Sequence, residues 1–170
     1  MSRGFVKEED QEEAPIIPPR AALPPGAVNY VTPNGLEQLK AEKDALEKER
    51  TALSADTNET ERRRAQMLID GKIRLLNERI HSARVLNPSD QPVDEVRFGA
   101  RVKLKPLQGG AKGLINFTIV GVDEASVKDS KVAFVAPIAR AITGKKTGEV
   151  AELQLAGKNQ RLQIVEIHYP

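Results

Sequence analysis

The chain contains no cysteine and no tryptophan, and only four phenylalanines, two tyrosines and two histidines among 170 residues. Lack of cysteine excludes a disulfide framework and a thiolate metal site. His81 and His168 stand far apart, so a hydrolase triad or a zinc site has almost nothing to draw on. With so few aromatics, any core must be assembled from Leu, Ile, Val and Ala. Long apolar runs are missing too: the N-terminus passes from Met1 to Phe5 into the acidic run Glu8 to Glu13, without the pattern of a secretion signal or membrane span. The expected location is therefore the cytoplasm, with no membrane partner. Neither sign of charge dominates, since 26 basic residues face 24 acidic ones for a net +2. That balance is too even for a protein that grips nucleic acid by itself, but it is compatible with meeting DNA or RNA through a protein host.

What is present falls into segments. Residues 1–29 combine acidic residues with Pro15, Pro18, Pro19, Pro24, Pro25 and Gly26, and have little apolar periodicity. This leader is expected to be disordered or extended and solvated, because it cannot bury enough surface to offset its ordering. The alternative is a docking peptide at Ile16-Ile17-Pro18-Pro19. A helical hairpin is expected over 30–86. Thr32 suits an N-cap and Pro33 the first helical position. Leu36, Leu39, Lys43, Leu46, Arg50 and Leu53 form a coiled-coil seam in which two long cations lay their methylenes across a partner. After the turn at 54–58, Ile69, Ile73, Leu76, Ile80 and Ala83 repeat the spacing up to Leu86-Asn87-Pro88.

Two such seams around a short polar turn imply an antiparallel pair. Gly71 weakens the second arm by roughly 1 kcal/mol relative to Ala. Arms over 34–54 and 59–86 would be about 30 Å and about 40 Å long. The second is expected to run past the first to join the next domain, with the turn at the far tip.

Residues 87–96 read as a linker, and from 97 to 170 the apolar period falls to two. Strands are expected at 101–104, 114–120, 131–135, 149–155 and 161–167, with turns at Gly109-Gly110, Asp123 to Asp129 and Gly157-Lys158-Asn159. A short helix starts at Pro137 and is ended by Gly144. The fold class is α+β: an N-terminal antiparallel coiled-coil hairpin followed by a small strand-rich domain. Its expected core is Val102, Leu104, Ile115, Phe117, Ile119, Val132, Phe134, Leu153, Leu155 and Ile164.

The tip carries the most informative chemistry. Asp56 and Glu59, three residues apart on a narrow projection, could share one hard divalent cation with waters and a partner's ligands. The same residues could instead open the second helix as a capping box, and Asn58 with Glu61 offers a second register for that role. Arg62, Arg63 and Arg64 follow, either as a phosphate-holding patch or as a solvated helix face. The glycines Gly144 and Gly148 follow a helix rather than precede one, so they are turn formers and not a phosphate loop.

Three stretches resemble the Gre factors, the bacterial transcript cleavage and elongation factor family. They are Asn29 to Leu39; Phe98-Gly99-Ala100-Arg101-Val102 with Phe117 to Gly121; and Ala136 to Lys145 through Gly148-Glu149, followed by Ile164 to Tyr169. The resemblance spans roughly residues 30 to 169. It implies a hairpin inserted into the secondary channel of bacterial RNA polymerase and an FKBP-like C-terminal domain anchored at the channel rim, with Pro137, Ile138 and Arg140 as partner-binding residues.

In cleavage-stimulating members an Asp-x-x-Glu pair at the tip helps hold a Mg²⁺ at the polymerase's own catalytic centre, so that backtracked RNA is hydrolysed. Asp56 and Glu59 match that pair as catalytic and metal-assisting residues. Arg62 to Arg64 loosely match the patch that engages the nascent RNA 3′ end. The resemblance thus implies a monomeric accessory factor rather than an enzyme, with no tightly bound cofactor and with Mg²⁺ supplied by the polymerase. Ala55 and Thr60 depart from the glycine and asparagine usual beside the pair, the first arm is short, and the leader is additional. A channel-binding regulator without cleavage stimulation is the second reading, and a general interaction or chaperone-like module the third.

Overall fold

The computed structural model describes residues 13–55, 58–108 and 113–170, with the backbone alone at Leu155. Asp56, the Gly109-Gly110 turn and most of the acidic run lie outside these residues.

The leader is extended from Glu13 onward, yet it is not free in solvent. It runs beside the second helix, with Ile17 against Gly71 and Arg20 reaching Glu42 and Asp123. The leader ends in β1 (Asn29–Val31), which pairs in parallel with β2 (Ala83–Val85).

Between these strands lies the hairpin, formed by α1 (Pro33–Thr51) and α2 (Glu59–Ser82). Thr32 caps α1 as expected: its hydroxyl oxygen accepts from the Gly35 N–H at 2.9 Å, with Pro33 in the first turn. The second helix stops four residues short of the expected 86, because Ala83–Val85 leaves the helix to pair with β1. Asn29 makes that exit possible: its amide donates to the Arg79 carbonyl at 3.0 Å and to Ser82 Oγ at 3.2 Å, satisfying groups that a helix end would leave unpaired.

The buried apolar cluster of the seam lies near the base, and Ile69 carries apolar burial out to the level of Asp70. Val31, Leu39 and Leu76 form a small buried cluster supported by Leu36, Leu46, Ile80 and Ala83. Farther out, Arg50 bridges to Asp70 across the pair at 2.5 Å. Arg50 is one residue from the end of α1, whereas Asp70 is eleven residues into α2 (70 − 59). α2 is five residues longer than α1 (24 − 19), and it overhangs at the tip and not at the base, contrary to the expectation, by roughly 7 Å at 1.5 Å per residue.

A short 3₁₀ turn (Pro88–Asp90) leads to the C-terminal domain. Its five strands are β3 (Arg101–Pro106), β4 (Ile115–Val120), β5 (Lys131–Ala133), β6 (Val150–Leu155) and β7 (Lys158–His168), in the order β5-β4-β3-β7-β6. Only the β4–β5 pair among them is parallel. β7 begins three residues earlier than expected, because Ala156 and Gly157, at φ of 49° and 75°, close a two-residue hairpin. A register shift after Lys103 leaves Val165 as the extra residue of a bulge.

α3 (Pro137–Ile142) closes one face of the sheet by burying Ala139 and Ile142. Of the expected core, Val102, Leu104, Phe117, Ile119, Leu153 and Ile164 are buried, while Ile115, Val132 and Phe134 are half-buried against them. Val96, Phe98, Ala100, Ala151 and Leu162 complete the core without having been anticipated.

Candidate functional site

At the tip, the chain enters α2 through Asn58, whose side-chain oxygen accepts from the Thr60 N–H at 2.9 Å. Asn58 is therefore the N-cap, and Glu59 and Glu61 occupy the first turn, where negative charge complements the helix dipole. The cap residue is that of the second capping register, but its bond goes to Thr60 and not to Glu61; Asp56 lies outside the described residues. Glu59 is exposed, and its carboxylate accepts from Arg63 at 3.0 Å across one helical turn.

Arg62 is partly turned inward and donates to the Ala55 carbonyl at 3.2 Å, tying the incoming chain to the overhanging helix. Arg63 and Arg64 are exposed. The structure thus brings Glu59 and Arg63 together, gives Arg62 a structural bond, and leaves Arg64 to solvent. Among the described residues, no group of three or more His, Cys, Asp or Glu side chains could hold a metal.

Glu59 nonetheless offers a hard oxygen at the end of a projection. Its pair with Arg63 is solvent-exposed, and exposed pairs of this kind are typically worth less than about 1 kcal/mol. That carboxylate can turn to a cation whose other ligands come from elsewhere.

The second candidate region is α3. Pro137 is exposed, Ile138 packs against the domain core, and Arg140 is exposed on the outer side. Arg140 borders a cleft of about 570 Å³, together with Arg97 and the aromatic trio Tyr30, Phe98 and Phe134. The three rings meet at 5.6–6.0 Å between centroids in tilted and edge-on geometry. Arg97 and the trio were not anticipated as parts of a site. Their positions, 30, 98 and 134, carry no common spacing, and only the fold assembles them.

Two acidic neighbours of the 121–130 loop join the halves of the molecule. Glu124 is buried and accepts from the Thr32 hydroxyl at 2.5 Å, the Asn34 amide at 3.0 Å and Lys131 at 3.3 Å. Asp123 accepts from Arg20 at 2.9 Å and lies 3.5 Å from Arg79. Gly121 lets β1 cross closely, since a Cβ there would stand 2.7 Å from the Tyr30 carbonyl oxygen. At the other end of the domain, Tyr169 donates to the Glu95 carbonyl at 2.5 Å and accepts from the Arg97 N–H at 2.8 Å. Burial raises its phenol pKa above the usual value, against a smaller opposing contribution from Arg97.

Fold and sites define a class of protein: a coiled-coil hairpin with a charged tip, carried by a globular α+β domain. Residues 91–169 match the family model described as "Transcription elongation factor, GreA/GreB, C-term". Over 153 residues the chain is 31% identical to transcription elongation factor GreA of Thermodesulfovibrio yellowstonii, covering 82% of this chain and 96% of that one. Over 105 residues it is 37% identical to GreA of Bartonella henselae, covering 62% and 66%. The chain belongs to the GreA/GreB family of transcription elongation factors.

Among solved structures, Gfh1 of Thermus thermophilus is similar at 20% identity, 84% and 99% coverage and a TM-score of 0.38. The GreA/GreB factor of Nitrosomonas europaea stands at 19%, 82% and 98%, with a TM-score of 0.40. No helix among the described residues is long and apolar enough to cross a membrane.

Proposed function

We propose that this chain is an accessory factor of bacterial RNA polymerase that enters the secondary channel with its hairpin and stimulates the polymerase's own cleavage of backtracked RNA. Docking falls to the C-terminal domain, through Pro137, Ile138, Arg140 and the cleft beside them. Asp56 and Glu59 face the catalytic centre. The observation that carries this reading is the placement of Glu59, an exposed carboxylate at the start of an overhanging helix in a member of this family.

A Mg²⁺ held jointly with the polymerase would neutralise charge at the phosphodiester and ease ionisation of the attacking water. This chain's contribution is positional. Glu59 would exchange its exposed pair with Arg63 for that cation, Arg63 so released and the already exposed Arg64 would hold the transcript phosphates near its 3′ end, and the hydrolytic centre itself would be the polymerase's.

One observation favours a second reading, a channel-binding regulator without cleavage stimulation. α1 stops at Thr51, so α2 overhangs it at the tip, and Glu59 is paired with Arg63. A carboxylate displaced by a few ångström loses most of its effect on a reaction that requires near-contact placement.

Stalled, backtracked elongation complexes decide between the two. The cleavage reading requires shortened RNA and released 3′ fragments, which fall at least tenfold, equivalent to about 1.4 kcal/mol in the barrier, in the Asp56→Ala, Glu59→Ala variant while polymerase binding persists. Binding without fragments in the parent protein refutes cleavage stimulation and leaves the regulator.

A further inference from the structure

The N-terminal leader makes four contacts with three separate parts of the molecule. Ile16 is 91% exposed, but Ile17 turns inward onto Gly71 of α2. The fit depends on the glycine: a Cβ at position 71 would lie 2.0 Å from Ile17 Cδ1 and 2.7 Å from its Cγ1. Three residues on, the Arg20 guanidinium donates two bonds to Glu42 of α1, at 2.8 and 3.0 Å, and one from Nε to Asp123 of the C-terminal domain at 2.9 Å. Its side chain is only 19% exposed and that of Asp123 only 7%. Arg79 of α2 then donates to the Ala21 carbonyl and lies 3.5 Å from the same Asp123. One extended strap therefore links both helices and the domain below them.

We infer that this strap is a brace that sets the direction of the hairpin relative to the C-terminal domain, with Arg20 as its positioning residue. The planar guanidinium forks onto Glu42 while its remaining edge meets Asp123, so a tilt of α1 relative to the 121–130 loop must stretch at least one of these bonds. Ile17 in the Gly71 hole fixes the strap along α2 in the same way. Leverage makes the effect large at the far end: on an arm of about 30 Å, a tilt of about 10° moves the tip by about 5 Å.

The test uses the full chain and needs no polymerase, so it is independent of the functional proposal. Because the protein has no cysteine, a Glu49→Cys, Gln154→Cys pair accepts two spin labels, one near the hairpin tip and one on β6. The parent should give a single narrow distance distribution. Arg20→Ala should broaden or shift it by about 5 Å, the displacement expected from a 10° tilt of an arm this long.

Gly71→Ala evicts Ile17 while raising helix propensity, so it should broaden the distribution with helical content, read by circular dichroism, undiminished. Adding Ile17→Ala removes the clashing atoms and should narrow it again. Distributions for Arg20→Ala and Gly71→Ala that superimpose on the parent's would overturn the brace, and so would a broadening of Gly71→Ala that Ile17→Ala does not relieve.

Discussion

Replacing Glu124 by alanine should uncouple the start of the hairpin from the domain beneath it. The carboxylate is 4% exposed and accepts from three donors, which do not lose equally when it is removed. Lys131 is 27% exposed and can turn to water, so its share is that of a surface pair, below about 1 kcal/mol. Asn34 is exposed and recovers most of its bond from solvent, again within about 1 kcal/mol. Thr32 is 6% exposed and has no such outlet; a buried donor stripped of a charged acceptor costs about 1.5–3 kcal/mol.

The sum is about 3 kcal/mol, or roughly two orders of magnitude in the folding equilibrium. Glu124→Gln keeps the volume and one acceptor oxygen but sets an NH₂ against donors, so it should cost about 1–2 kcal/mol. Urea unfolding followed by circular dichroism measures both. Hydrogen exchange at the Gly35 amide, which Thr32 caps, should speed up in the alanine variant before the C-terminal sheet loosens. A Glu124→Ala protein within about 0.5 kcal/mol of the parent, the range of an ordinary surface change, would refute the reasoning.

Leu76 is fully buried in the small hairpin cluster, so Leu76→Ala should cost about 2–5 kcal/mol and melt the helices ahead of the sheet; equal melting of both by amide exchange would count against separate cores. Gly121→Ala pushes a Cβ to 2.7 Å from a backbone oxygen that cannot rotate away, and a loss of about 1–3 kcal/mol in the same denaturation assay is expected. Tyr169→Phe removes the hydroxyl between Glu95 and Arg97 and should cost about 1–2 kcal/mol near neutral pH. Because the folded-state phenol pKa is raised by burial, its contribution is fully present below the unfolded value and is lost as pH rises through the folded one. The gap between parent and Tyr169→Phe in an alkaline unfolding series should therefore shrink with pH; a gap that widens would contradict the assigned burial.

Periodicity made the two helices legible, and the Thr32-Pro33 pair marked the first start to the residue, because capping is local chemistry. The ends were harder. Nothing between residues 80 and 86 announces that the helix yields at Ala83, since the cause is a strand fifty-four residues earlier (83 − 29) whose Asn29 takes over the terminal carbonyl. The leader misled for a related reason: its composition is that of a solvated chain, and only Gly71, which reads in sequence as a local weakness of α2, is the imprint of what covers it.

In the C-terminal domain, alternation located the strands. The inward face of Ala151 depended on strand pairing, which alternation cannot supply, and Phe98 is buried from a turn before β3, outside any alternating run. At the tip, spacing offered capping and cation chemistry together. The observed cap is Asn58, and that leaves Glu59 unspent on the backbone.

The contrast between the two ends of the hairpin bears on how such a projection can aim. Apolar burial stabilises without direction, and it is concentrated within the sheet domain and at the hairpin base. Where hairpin meets domain, Tyr30 packs on Phe98 and Phe134, and around that contact stand hydrogen bonds and ion pairs with narrow angular tolerance, made by Arg20, Thr32, Asn34, Asp123 and Glu124. Buried ion pairs of this kind add little net stability over an apolar contact, so their value at the joint is geometric. Toward the tip, the apolar seam gives way to the exposed Arg50–Asp70 and Glu59–Arg63 pairs, each of which can re-form with other charges at small cost. A stiff joint with a chemically uncommitted tip is what the proposed function requires: the joint supplies the direction, and Glu59, Arg63 and Arg64 stay able to exchange partners at a charged target, while Arg62 holds the incoming chain.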